Sequence, residues 1–143
     1  MVSTGDSALT SLGLDIDPAV DASVSGTLAV VEEALRSNVA SADPLVAEAA
    51  RHLMDAGGKR FRPLILAFGA QFGDPSRDEI VPAALVVELT HLATLYHDDV
   101  MDEAAVRRGA PSANSRWTNS IAILTGDFLF ARASDLLADL GPE

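Results

Sequence analysis

No stretch of this chain alternates apolar and polar residues for the length of a useful strand; its apolar residues recur every three or four positions between prolines and glycines. That period lines them along one face of a helix, and the breakers mark where each helix starts and stops. Val24, Leu28, Val31, Leu35 and Val39 mark a first amphipathic helix. Asp43-Pro44 joins an N-cap to a proline at the first helical position, and Gly57-Gly58 closes that second helix. Pro63 opens a third, from Leu64 to about Phe72, ended by Gly73. Ser76-Arg77-Asp78-Glu79 has the form of a capping box and starts the longest helix, Asp78 to Asp102, with Pro82 tolerated in its first turn. A loop from Ala105 to about Asn114 follows, and then a last helix from about Asn119 to Leu140, stopped by Gly141-Pro142. That helix is apolar nearly all round, which predicts burial on every side. The expected architecture is all-α, without internal repeats. Residues 1–20, small and polar, are expected to form a mobile leader.

The 143 residues suffice for one domain. The formal net charge of −11 argues against a general nucleic-acid surface. Positive charge is concentrated: Lys59, Arg60, Arg62, Arg107 and Arg108 make up half of the ten basic residues and occupy two short segments. A strongly acidic chain that gathers its cations in this way points to binding of a small anion there. The absence of cysteine excludes disulfide scaffolds, zinc-thiolate clusters and thiol nucleophiles. The first twenty residues lack the basic and apolar regions of a secretory signal. No apolar run is expected to reach the length of a membrane span, so a cytoplasmic chain is expected.

Chemistry concentrates at the end of the longest predicted helix, in His97-Asp98-Asp99-Val100-Met101-Asp102. Asp98 and Asp102 are four apart and project from one helical face a single turn from each other. Like charges so placed repel, and carboxylates near a helix C-terminus also oppose the macrodipole. A hard divalent cation removes both penalties; Mg²⁺ typically binds through one or two carboxylates plus substrate phosphates. A calcium loop of the EF-hand type is excluded, because the required glycine and later glutamate are missing. Arg107 and Arg108 add planar forks suited to diphosphate oxygens. The segment Gly57-Gly58-Lys59-Arg60-Phe61-Arg62-Pro63 is a glycine-flanked basic turn entering a helix, where backbone N–H groups with Lys59 and Arg62 would bind an anion. His91 lies two turns before Asp98 on the same face and could donate to a phosphate, although a lone histidine on an apolar helix is more often a core residue. His52 and His97 have no evident partner. Asp127, inside the most apolar helix, must be paired or ligating; Arg132 and the basic turn are the candidates. Trp117, Phe128 and Phe130 are expected in the core.

These segments resemble the trans-isoprenyl (polyprenyl) diphosphate synthases. The resemblance rests on Gly-Gly-Lys-x-x-Arg-Pro at 57–63, on Glu88-Leu89-x-His91 leading to Leu95-Tyr96-His97-Asp98-Asp99-x-x-Asp102, on Arg107-Arg108-Gly109, and on Gly126-Asp127. It covers about residues 24–143 and leaves the leader out.

The resemblance implies an isoprenoid-synthase-type helical bundle, of which 21–143 would be the N-terminal half. Asp98 and Asp102 would hold Mg²⁺ bridging to an allylic diphosphate, with Asp99 supporting them. Arg107 would contact that diphosphate, while Lys59, Arg62, His91 and Arg108 would hold isopentenyl diphosphate. The implied reaction ionises the allylic C–O bond, attacks the cation with the isopentenyl double bond and expels a proton. Ala93 and Thr94 stand where short-chain members carry bulky aromatic stops, so a long product, hexaprenyl to decaprenyl, is expected. The family's second aspartate-rich motif is missing from the sequence. A homodimer, or pairing with a chain carrying the C-terminal half, is expected, and the chain alone is expected to be nearly inactive. A non-catalytic subunit of a two-chain synthase is the main alternative, against which the intact aspartate motif argues. A terpene cyclase would share that motif but would have no use for the Lys59/Arg62 turn.

Overall fold

The computed structural model describes residues 15–40 and 43–141, together with Leu9 and Gly13. Six helices account for most of it: α1 (Pro18–Asn38), α2 (Pro44–Asp55), α3 (Phe61–Ala70), α4 (Ile80–Met101), the short α5 (Ala113–Arg116) and α6 (Asn119–Leu140). Two-residue strands β1 (Val106–Arg107) and β2 (Ala110–Pro111) form a small antiparallel hairpin between α4 and α5, pairing Val106 with Pro111 and Arg107 with Ala110. The fold is all-α apart from that hairpin.

Local chemistry explains most boundaries. Asp-Pro opens both α1 and α2: Asp17 accepts from Ala19 N at 2.7 Å, and Asp43 from Leu45 N and Val46 N at 2.8 and 3.3 Å. α1 thus begins inside the segment expected to be a leader. Leu9 is buried against Val24, Leu64 and Ala67, with Ile16 and Val20 packed beside it, so this part of the leader belongs to a small second core; residues 1–8, 10–12 and 14 lie outside the described residues. Thr118 caps α6 by accepting from Ile121 N at 3.2 Å.

The expected capping box does not form. Ser76 is taken by Asp74, whose Oδ1 accepts from Ser76 N at 2.9 Å and from its hydroxyl at 2.6 Å, while Glu79 pairs with Arg77. α4 consequently starts at Ile80, with no side-chain cap on Glu79.

α4 is the central element and packs against α6, α3, α1 and α5. By length and composition it is apolar enough to cross a membrane, contrary to expectation; here its face of Ala84, Leu85, Leu89, Leu92, Ala93 and Tyr96 is the middle of the main core. Tyr96 ties α4 to α2. Its buried hydroxyl accepts from Leu53 N at 3.2 Å and donates to Ala49 O, entering the i→i−4 ladder of α2. Trp117, Phe128 and Phe130 pack on this core as expected.

α6 is buried on one face only, as a helix cut off from part of its packing partner would be. It buries Ala122, Thr125, Gly126, Leu129 and Ala133 on α4, yet Ile123, Leu124 and Leu137 remain 42%, 58% and 58% exposed. One neighbouring layer can cover only one face of a helix, so the other apolar face is uncovered among the described residues.

Candidate functional site

α4 ends in a Schellman turn: Ala104 N donates to Asp99 O at 2.9 Å and Glu103 N to Val100 O at 3.3 Å, with Glu103 in the left-handed region at φ 49°. The turn makes Asp102 the C-cap, its N–H bonded to Asp98 O at 2.8 Å. Asp98 and Asp102 therefore lie one turn apart at the helix end, and neither carboxylate accepts a hydrogen bond or joins an ion pair among the described residues. Asp99 faces the other way. It is fully buried, and its Oδ1 accepts from Arg107 Nε at 2.7 Å and NH2 at 2.6 Å.

The basic turn divides by role. Arg60, φ 47° at the N-cap of α3, is turned into the protein, 2.8 Å from Glu32 and 3.5 Å from the buried Glu88. Lys59 and Arg62 are exposed and have no carboxylate partner among the described residues. Gly58, at φ 155°, is needed for close approach: a Cβ there would fall 2.8 Å from Arg108 NH1 and 2.9 Å from Arg60 NH1. The start of α3 has no side-chain cap, so its first N–H groups are open to an anion.

The hairpin brings the second pair of arginines to this place. Arg108 and Gly109, at φ 53° and 77°, form the two central positions of a turn that needs positive φ at both. Arginine is an unusual occupant, and tertiary bonds offset its strain. Arg108 NH1 donates to Leu53 O at 3.0 Å and to Gly57 O, capping the C-terminal end of α2 where its charge also meets the negative end of the helix dipole. Burial, with Arg60 close by, pushes the Arg108 guanidinium below its usual range. Arg108, expected to hold substrate, is thus also part of the scaffold.

His91 shares a groove with Arg62 of the basic turn. The groove, of about 580 Å³ between α3 and α4, is also lined by Ile65, Leu66, Val86, Val87, Thr90 and Thr94. Partial burial lowers the pKa of His91, and Arg62, Arg108 and Arg107 lower it further, against the opposing pull of Asp98. Thr94 lines the groove, its hydroxyl donating to His91 O at 2.7 Å, but Ala93 does not; it is fully buried in the main core. The two positions paired in the chain-length expectation face different surroundings, because consecutive helical residues point about 100° apart.

Sequence reasoning missed the partner of Asp127, which is neither Arg132 nor the basic turn. His97 Nε2 lies 3.2 Å from Asp127 Oδ1 and 3.1 Å from Ile123 O, directly over Gly126. The adjacent Gly126-Asp127 pair was the only hint in sequence. His52 is likewise engaged, with Pro111 O at 2.7 Å, Arg116 at 3.0 Å and the edge of Trp117.

Among the described residues no three Asp, Glu or His side chains gather to hold an ion. Asp98 and Asp102 nonetheless fit Mg²⁺: two unspent hard-oxygen donors on adjacent turns, a few residues from cations that would hold phosphate, match the mode in which substrate oxygens complete the shell.

A protein-family model described as polyprenyl synthetase matches residues 43–143. Nonaprenyl diphosphate synthase of Mycobacterium tuberculosis is 52% identical over 133 residues, covering 92% of this chain and 40% of that protein. Heptaprenyl diphosphate synthase component 2 of Geobacillus stearothermophilus is 45% identical over 118 residues, covering 82% and 37%. The solved structure of a polyprenyl synthase from Caulobacter crescentus CB15, complexed with calcium and isoprenyl diphosphate, is similar with a TM-score of 0.80 at 36% identity, over 86% of this chain and 38% of that one. The chain thus spans about two-fifths of the length of the curated relatives it matches.

Proposed function

Because this chain belongs to the polyprenyl synthetase family, we propose that it supplies the N-terminal half of a prenyltransferase that condenses isopentenyl diphosphate with an allylic diphosphate. The family match over residues 43–143, with Asp98, Asp102, Lys59 and Arg62 all outside any ion pair among the described residues, is the observation that carries this reading. Exposed Lys59 and Arg62 with no ion-paired carboxylate, beside a helix start with no side-chain cap, suit the binding of an anion.

Asp98 and Asp102 would hold Mg²⁺, whose chemistry is to neutralise charge that builds on the departing allylic diphosphate. Arg107 presents its unspent N–H groups to the same diphosphate, adding fixed donors where charge develops. Lys59, Arg62 and the open N–H groups of α3 hold isopentenyl diphosphate, and His91 donates one further hydrogen bond. The apolar walls of the groove exclude water from the allylic cation. The allylic C–O bond breaks with its electron pair leaving on diphosphate. The isopentenyl double bond then forms the new C–C bond, and a proton is lost to restore an alkene. Small Thr94 in the groove and the nonaprenyl and heptaprenyl synthases among the relatives support a long product. The uncovered apolar face of α6 supports the need for further helices, from the same protein or from a partner chain.

Incorporation of labelled isopentenyl diphosphate into an allylic primer tests the proposal, with the chain assayed alone and with a chain carrying the later helices. Elongation is expected only for the pair with Mg²⁺, and Asp98→Ala or Asp102→Ala should abolish it. Unchanged turnover in both variants would overturn the metal assignment.

A further inference from the structure

We infer that Asp99 serves this site as a positioning residue for Arg107 and is not one of the carboxylates that hold a cation. The inference rests on the diphosphate reading above for its purpose, and on the geometry alone for the contact.

Three carboxyl residues within five positions invite the idea of a shared cation, but the helix separates them. Asp98 and Asp102 share a face; Asp99 is rotated about 100° from Asp98 and points into the protein. Its side chain is wholly inaccessible, against 30% exposure for the Arg107 side chain it binds. Both contacts fall on Oδ1, from Nε at 2.7 Å and NH2 at 2.6 Å, while Oδ2 is buried with no hydrogen-bond partner among the described residues. One oxygen of Asp99 is thus committed to Arg107 and the other is closed off from solvent, whereas Asp98 and Asp102 make no ion pair among the described residues.

The same geometry orients the arginine. A guanidinium donates from a planar fork. Asp99 occupies the Nε/NH2 edge, which leaves both N–H groups of NH1 and the outer one of NH2 directed away from the carboxylate. The backbone is held as well, because Arg107 pairs with Ala110 across the hairpin and precedes the left-handed Arg108. A long side chain anchored at both ends offers a phosphate oxygen a donor edge already in place, so less freedom is lost on binding.

Two measurements on the ¹⁵N-labelled chain decide the matter. The first is water exchange of the Arg107 Nε–H, identified by its disappearance in Arg107→Lys. It should be about tenfold slower than that of exposed Arg36, and Asp99→Asn should bring it to the Arg36 rate. An Arg107 Nε–H already as fast as that of Arg36 in the unsubstituted chain overturns the inference without any variant having to fold. The second is calorimetric binding of Mg²⁺ and of inorganic pyrophosphate with Mg²⁺. Asp98→Asn should weaken Mg²⁺ about tenfold and Asp99→Asn less than about twofold. Asp99→Asn should weaken pyrophosphate about tenfold, and that effect should vanish in an Arg107→Lys background. Equal loss of Mg²⁺ in Asp98→Asn and Asp99→Asn would make Asp99 a ligand and overturn the inference. If the unsubstituted chain binds neither Mg²⁺ nor pyrophosphate, the site reading fails, and the Arg107 exchange rate still decides whether Asp99 positions the arginine.

Discussion

The imidazole of His97 fills the space that a side chain at position 126 would need: a Cβ built on Gly126 would fall 2.5 Å from the ring Cδ2 and closer still to Nε2. The same Nε2 bridges Ile123 O and Asp127 Oδ1 on α6. This close approach locks the last turn of α4, which carries Asp98 and Asp102, onto its neighbour.

Gly126→Ala should therefore destabilise the fold by about 1–3 kcal/mol through overpacking, although alanine is intrinsically the better helix former by about 1 kcal/mol. Urea unfolding measures the sum. A neutral or stabilising result would show that the ring can move aside at no cost.

Arg62 and Arg108 should separate stability from binding. Arg108→Ala removes the cap on α2 and leaves Leu53 O and Gly57 O without their donor, costing about 1–3 kcal/mol. Exposed Arg62 has no such partner, so Arg62→Ala should change stability by less than about 0.5 kcal/mol while weakening pyrophosphate binding. In the complete enzyme it should raise the apparent KM for isopentenyl diphosphate more than that for the allylic substrate. Equal effects on both substrates would argue against a dedicated isopentenyl site.

Glu88 and Glu32 flank Arg60 and should oppose each other in pH dependence. Burial raises the pKa of Glu88 above 4.5, so the stability it contributes is complete below pH 4.5 and is lost as pH rises through its folded pKa. The hydrogen bond from Arg60 lowers that of Glu32, whose contribution is present above pH 4.5 and lost as pH falls through its folded pKa. Glu88→Gln should flatten the loss of stability as pH rises above 4.5, and Glu32→Gln the loss as pH falls below 4.5. Stability curves that are parallel for the two variants would refute this assignment.

His91 should report the arrival of an anion. Its pKa lies below 6.5 because of burial and the surrounding arginines, and inorganic pyrophosphate with Mg²⁺ should raise it by favouring the imidazolium. An NMR titration of His91 with and without pyrophosphate reads this directly. No upward shift under conditions where pyrophosphate binds would place the anion elsewhere.

Much of the fold was legible in sequence because it is written in local chemistry. The bounds of α2 and α6 follow from Asp43-Pro44, Gly57-Gly58 and Gly141, and the all-α class from the spacing of apolar residues. The start of α1 was equally available in Asp17-Pro18, which repeats the Asp-Pro signal. The capping box failed for a local reason of a different kind: Asp74, two residues before Ser76, takes the backbone N–H that the box would give to Glu79. The hairpin at 106–111 escaped because its turn uses Arg108 at a position that ordinarily calls for asparagine or glycine, and the bonds that make this tolerable run to a helix more than fifty residues away.

The sequence by itself determined which groups could do chemistry: the Asp98/Asp102 spacing, the basic turn at 57–63 and the paired arginines follow from residue identity and helical period. Only the tertiary structure decided how each is employed. It turned Asp99 inward onto Arg107, made Arg60 and Arg108 structural on one side, left Lys59 and Arg62 open, set Thr94 in the groove and Ala93 in the core, and gave Asp127 to His97. Those assignments depend on which segments a folded chain brings within hydrogen-bond distance, a few ångströms that no one-dimensional spacing encodes.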